Sequence, residues 1–173
     1  MATAKNVTAC CGCQALVPDI DGPSHPYLGA SPGCWAIYGE VLAKEYGEYR
    51  YPAVHRLTVD AYAAQHPGVP SRQAIQSVAV HLISLFLLSE RRFAIAKMTE
   101  AMRGALRHRD HFVWLAPLAS LANMTILDVT RAQSLQEHSR CVQAWAESVW
   151  QAWSPHHATI RRWAHSSQRM AIG

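Results

Sequence analysis

Residues 71–90 read SRQAIQSVAVHLISLFLLSE. Ile75, Val78, Ala79, Leu82, Leu85 and Phe86 recur at three- and four-residue spacing, which is the period of a helix. After Val78 the segment is apolar nearly all round, so it predicts a helix at the centre of a bundle rather than one on its surface. Ser71 is placed to cap it, because a serine oxygen accepts from backbone N–H groups that the first turn leaves without partners.

Working outward, Ser31-Pro32 starts another helix, with serine as cap and proline at a position whose N–H is not needed. It runs through Trp35, Tyr38, Val41 and Leu42 to Gly47. Pro52 opens a helix to about Gln65, ended by HPGVP at 66–70, and a further helix spans about 93–107. HFVWLAPLASLANM at 111–124 has a proline and no clear period, and reads as a connector. Thr125 then caps a long helix with Asp128 in its first turn, and Ser154-Pro155 starts the last one. The stripe Trp145, Val149, Trp153 reads as a buried face. The sum is a mainly α, irregular bundle of about six helices in a single domain over 1–173. Residues 10–34 form an irregular loop and 35–170 the bundle.

Half the 173 residues are hydrophobic, enough to bury a core without disulfides. No run of about 18 apolar residues suggests a membrane span, and MATAKNVTACCGC at the start lacks the apolar stretch of a signal peptide. Five cysteines in that setting predict reduced thiols in a cytoplasm, and clustered ones predict metal binding.

Cys10 and Cys13 form C-x-x-C with Gly12 before the second cysteine, the shape of a zinc knuckle. Cys34, in the first turn of a predicted helix, is the natural third ligand, since the helix N-terminus favours a thiolate. His25, in the same Gly/Pro-rich segment, is the expected fourth, with Cys11 as the alternative. A redox pair is the competing reading, but a redox C-x-x-C begins a helix after a strand, and no strand pattern precedes Cys10. Cys141 lies far along a helix and reads as a core thiol.

Ten histidines are many for this length. A helical bundle can build a metal site from single histidines on different helices. His55, His81 and His157, or its neighbour His156, would give the three-ligand geometry of a catalytic zinc, with Asp60 orienting one ring and His66 lining the pocket. No HExxH or HxH spacing, phosphate loop or nucleophile elbow accompanies them.

The charge is uneven. Residues 1–70 carry four basic and six acidic side chains, a balance of −2, whereas 71–173 carry twelve and six, a balance of +6. A basic half suits an acidic partner, including nucleic acid, although no basic run reaches five residues.

The N-terminal C-x-x-C, SHPYLGASPGCWAIYGEVLAKEY at 24–46, VHRLTVDAYAAQHPGVPSRQAIQSVAVHL at 54–82 and WAESVWQAWSPHHATIRRW at 145–163 together resemble a bacterial family of unknown function. The resemblance spans about residues 10–165 and brings no activity with it. It directs attention to Cys10, Cys13, His25, Cys34, His55, Asp60, His66, His81, His138, His156 and His157 as a metal protein with a working pocket. Members often have proline after the first cysteine, where this chain has Cys11. Two functions follow as expectations: a metal-dependent enzyme acting on a small molecule, or a binding module with a structural zinc and a basic face.

Overall fold

The computed structural model describes residues 6–117 and 122–168. Among these are a two-stranded antiparallel hairpin, β1 (Val7–Ala9) and β2 (Leu16–Pro18), and seven α-helices. The helices are α1 (Pro32–Tyr46), α2 (His55–Gln65), α3 (Arg72–Ser89), α4 (Met98–Arg107), α5 (Ile126–Thr130), α6 (Leu135–Ala152) and α7 (His157–Gln168).

Helix α3 is central, packing against α2, α4, α6 and α7. Its length and hydropathy match those of a membrane span, but more than half of it is buried inside the bundle. Val78, Ala79, Leu82, Ile83, Leu85 and Phe86 lie in the core. Ser71 caps it as its sequence requires, accepting from Ala74 N at 3.1 Å. Trp145, Val149, Trp150 and Trp153 of and after α6 are fully buried. Their indole N–H groups are satisfied: Trp145 donates to Gln65 Oε1 and Trp153 to Ala64 O. These tryptophans are core, as the stripe predicts.

Several boundaries depart from expectation. The stretch before α1 is not wholly irregular, because three residues on each side of the C-x-x-C pair as strands, too few to show a period of two. Helix α2 begins at His55 rather than Pro52; Arg50 and Tyr51 have positive φ (52° and 58°) and make a turn first. A 3-10 turn, Ile95–Lys97, precedes α4 where a helix from 93 was expected. The long helix from Thr125 is two. The Thr125–Asp128 capping box starts α5 as read, but α5 stops at Thr130 and Ser134 caps α6 by accepting from Glu137 N. Ser154–His156 form a 3-10 turn that leads into α7, since Pro155 has no N–H to give. Of the connector 111–124, residues 118–121 lie outside the described residues. Cys141 is half-buried against the core rather than enclosed.

Candidate metal centre

Three elements bring one group together. The hairpin turn carries Cys10 and Cys13, shaped by Cys10 N donating to Ala15 O and Gln14 N to Cys10 O, with Gln14 at φ 62°. Helix α1 supplies Cys34 in its first turn. His66 follows the last residue of α2 and has left the helix, with φ −125° and ψ 62°. Pro67 explains that departure, because the residue before a proline is sterically excluded from the helical region. Cys10, Cys13, Cys34 and His66 are all buried, and their ligand atoms lie within 4.8 Å of one another.

The spacing suits a tetrahedral ion. Donors at about 2.3 Å for sulfur and 2.0–2.1 Å for nitrogen stand roughly 3.5–3.8 Å apart around zinc. Cys13 Sγ is 3.8 Å from Cys34 Sγ, and Cys34 Sγ is 3.4 Å from His66 Nε2. His66 Nδ1 donates to Tyr62 O at 2.7 Å, which fixes the ring and leaves Nε2 as the acceptor edge. Around the sulfurs, Ser31 N points at Cys10 Sγ from 3.5 Å and Tyr62 Oη at Cys34 Sγ from 3.6 Å. Glycine permits the approach. A Cβ on Gly12 would stand 2.3 Å from Gly29 O and 2.5 Å from His66 Cδ2. Gly68, at φ +71°, lets the chain after His66 lie against Tyr27 O, where a Cβ would come within 2.4 Å.

The electrostatics match a site built for a cation. Hydrogen bonds from Cys13 and then Cys34 hold the Cys10 thiol far below its ordinary range, against the cost of burial. The Cys34 thiol is pushed up by the same crowding, chiefly by Cys10 and Cys13. Burial disfavours a charged His66, but Cys10 and Cys13 outweigh it and raise the ring to about 9. A dense group of thiols with one thiolate and an imidazolium is what a metal ion replaces on binding, with release of protons.

His25 is not in this group. It lies half-buried beside it, its Nδ1 3.5 Å from Tyr27 N and its ring against Trp35. The fourth corner is His66, one of the residues expected in the histidine pocket. Cys11 also faces away: it is exposed, and its thiol donates to Gly29 O at 3.3 Å. The Cys10–Cys13 pair lies in a hairpin turn, not at the helix start that a redox pair uses.

The expected histidine pocket is dispersed over separate groups. His55 Nδ1 and His138 Nε2 each lie 2.7 Å from a different oxygen of Glu45, and Thr58 donates to the same carboxylate at 2.6 Å. Asp60 orients a histidine, His81, whose Nδ1 is 2.7 Å from Oδ1. His157 stacks on Trp150, with ring centroids 3.7 Å apart, and its Nε2 donates to Trp150 O. His156 Nε2 donates to Ala116 O. Each ring is held by hydrogen bonds to its own neighbours, because α1, α2, α3 and α6 present these side chains to different contacts. Glu45, fully buried, was not foreseen at all. Burial alone would raise its pKa, but hydrogen bonds from His138, Thr58 and His55 hold it below the ordinary carboxylate value.

No curated protein and no solved structure matches the chain significantly. A family model does match, over residues 8–154, and so takes in the hairpin from Thr8 on, all four members of the cysteine–histidine cluster and the bundle as far as the end of α6. On that match the chain belongs to the family of unknown function DUF5946.

Proposed function

We propose that this chain is a zinc protein in which the ion is a structural staple, held by Cys10, Cys13, Cys34 and His66. The observation that carries the reading is the set of donor spacings, 3.8 Å for sulfur to sulfur and 3.4 Å for sulfur to nitrogen. Three thiols and one imidazole are one of the donor sets that structural zinc sites use. Four protein donors leave no open position for water or substrate, which separates a structural site from a catalytic one. The ion would tie together the hairpin, the start of α1 and the end of α2, pieces that also meet through the Tyr38–Tyr62 stack and the Cys11 N–Ser31 Oγ hydrogen bond. Thiols held for metal rather than disulfide suit a reducing compartment such as the cytoplasm. A chelator titration followed by thermal unfolding tests this. Removing zinc should lower the Tm markedly, since ligand binding to the native state alone adds RT ln(1 + [L]/Kd) to stability. A Tm indifferent to both chelator and added zinc would end the proposal.

A second reading rests on a different observation. Arg91, Arg92, Lys97, Arg103, Arg107 and Arg109 are all exposed within the stretch from the end of α3 past α4. A stretch this rich in exposed cations suits a polyanion, and the zinc would then staple a binding module. Retention of duplex DNA or RNA that falls steeply with salt supports it; no retention at low salt discards it.

A further inference from the structure

Asp60 is fully buried in α2, and three donors converge on it. Arg56 Nε donates to Oδ2 at 2.9 Å, Ser84 Oγ donates to the same oxygen, and His81 Nδ1 lies 2.7 Å from Oδ1. A carboxylate held by a guanidinium only accepts, so His81 carries its proton on Nδ1 and its lone pair on Nε2. The carboxylate also supports any positive charge that develops on the ring, the role an acidic partner plays behind a catalytic histidine. His81 is not sealed: its side chain is 19% exposed. His81 lines a surface cleft of about 280 Å³, and with Nδ1 held by Asp60 its Nε2 is the ring nitrogen left for a ligand.

The walls of that cleft state what it can take. Gln73, Gln76 and Ser77, on the same helix as His81, supply neutral hydrogen-bonding groups; Tyr27, Val80 and Leu106 supply apolar surface. None of the described lining residues is Asp, Glu, Lys or Arg, so a charged ligand would leave water without compensation. A glutamine amide presents a donor and an acceptor side by side, the pattern complementary to the edge of an amide or nucleobase. The volume lies just below the usual range of ligand pockets, about 300–1,000 Å³, which suits one or two rings.

We infer that this cleft binds a small neutral heterocycle or amide, whose N–H donates to His81 Nε2 while its neighbouring donor and acceptor pair with the glutamine amides. His81 then touches the ligand at the atom that can accept its proton, and Asp60 is the residue that positions it. Neither belongs to the cysteine–histidine cluster, so the site is distinct from the zinc staple. Tyr27 lies in the loop next to that cluster, and the test therefore uses zinc-loaded protein.

The experiment is a titration of ¹⁵N-histidine-labelled protein with uracil, adenine and nicotinamide, read on the ring nitrogens of His81. At least one probe should move Nε2 saturably, with a Kd of about 1 mM or tighter. Gln76→Ala, on a half-exposed position of the helix, should weaken that binding at least about tenfold. Asp60→Asn should shift the proton between the two ring nitrogens, a change that loss of packing alone would not produce. If Asp60→Asn does not fold, the Gln76→Ala comparison still decides. No response at His81 to any of the three probes overturns the inference. So does an equal response to inorganic phosphate, which would mark an anion site, or binding unchanged in the Gln73→Ala/Gln76→Ala protein.

Discussion

His66 Nδ1 donates to the carbonyl oxygen of Tyr62 at 2.7 Å, so the other ring nitrogen faces Cys34 Sγ, 3.4 Å away. The bond runs from a residue just outside α2 to a carbonyl in its last turn. It therefore uses an acceptor that the helix end leaves free, and it keeps Nδ1 protonated so that Nε2 is the nitrogen left for an ion.

The first prediction follows from that pair. In the zinc-loaded protein, ring ¹⁵N spectra should show His66 metal-bound at Nε2 and protonated at Nδ1. Tyr62→Phe removes the hydroxyl that lies 3.6 Å from Cys34 Sγ and should weaken zinc binding by about tenfold, the usual cost of losing a partner behind a ligand. Competition with a chromophoric chelator measures it. Unchanged affinity would assign the hydroxyl no part in tuning the sulfur.

Gly12→Ala should damage the centre without touching a ligand. The new methyl would meet a backbone oxygen, Gly29 O at 2.3 Å, and the His66 ring at 2.5 Å, and the backbone cannot swing aside as a side-chain tip can. A loss of about 1–3 kcal/mol in urea unfolding is expected, with weaker zinc retention. Gly39→Ala is the control, since a Cβ there meets nothing within 4 Å.

The Glu45 network predicts a pH dependence. Its carboxyl is held below the ordinary value of 4.5 by His138, Thr58 and His55, in spite of burial. In the unfolded chain protonation occurs nearer 4.5, so between the two values the unfolded state binds more protons. The Glu45 contribution is therefore complete above about pH 4.5 and is lost as pH falls through the lower folded value. Urea unfolding from pH 6 downwards should show stability falling in that window, and Glu45→Ala should flatten that part of the profile. At neutral pH the same variant should cost about 3 kcal/mol, because it leaves His55, Thr58 and His138 without their shared acceptor. An unaltered profile in Glu45→Ala would show that other carboxylates set the acid limit.

Proton release gives a prediction of opposite sign for the metal. The neighbouring sulfurs raise metal-free His66 to about 9, above the ordinary 6.5, so the metal-free fold gains from its protonation below 6.5 and loses that gain as pH rises to about 9. Zinc must displace the same proton. Over this window the metal-free protein should lose stability while zinc affinity rises, and calorimetry in buffers of different ionisation enthalpy should register net proton release. Binding that releases no protons would contradict the ligand set.

What the sequence revealed and what it hid divide along physical lines. Local signals were legible. Ser71 caps α3, and Pro32 marks the start of α1. The apolar run from Val78 to Leu88 reads directly as a central helix, and three of the four cluster members announce themselves as C-x-x-C and a helix-start cysteine. Other local signals are present but short. Ser134 followed by Glu137 is the S-x-x-E sign of a new helix, and it divides α5 from α6. Pro67 after His66 says that His66 cannot continue the helix that carries His55. That single backbone restriction takes it out of the expected histidine pocket and into the cysteine cluster. Other features leave no local trace. Glu45 and His138 lie 93 residues apart and meet only because α1 and α6 both frame the same interior. A lone glutamate near a helix end reads as a surface residue. The pairing of Asp60 with His81 depends likewise on the packing of α2 on α3.

The measurement that bears most directly on the account is metal content by mass spectrometry, on protein purified without chelator. It compares the native chain with His66→Ala, His25→Ala and Cys11→Ser. The account predicts about one zinc per chain in the native protein, in His25→Ala and in Cys11→Ser, with loss in His66→Ala, since only His66 stands at the fourth corner beside Cys10, Cys13 and Cys34. A native protein without metal, or a zinc kept by His66→Ala and lost from His25→Ala, would contradict it.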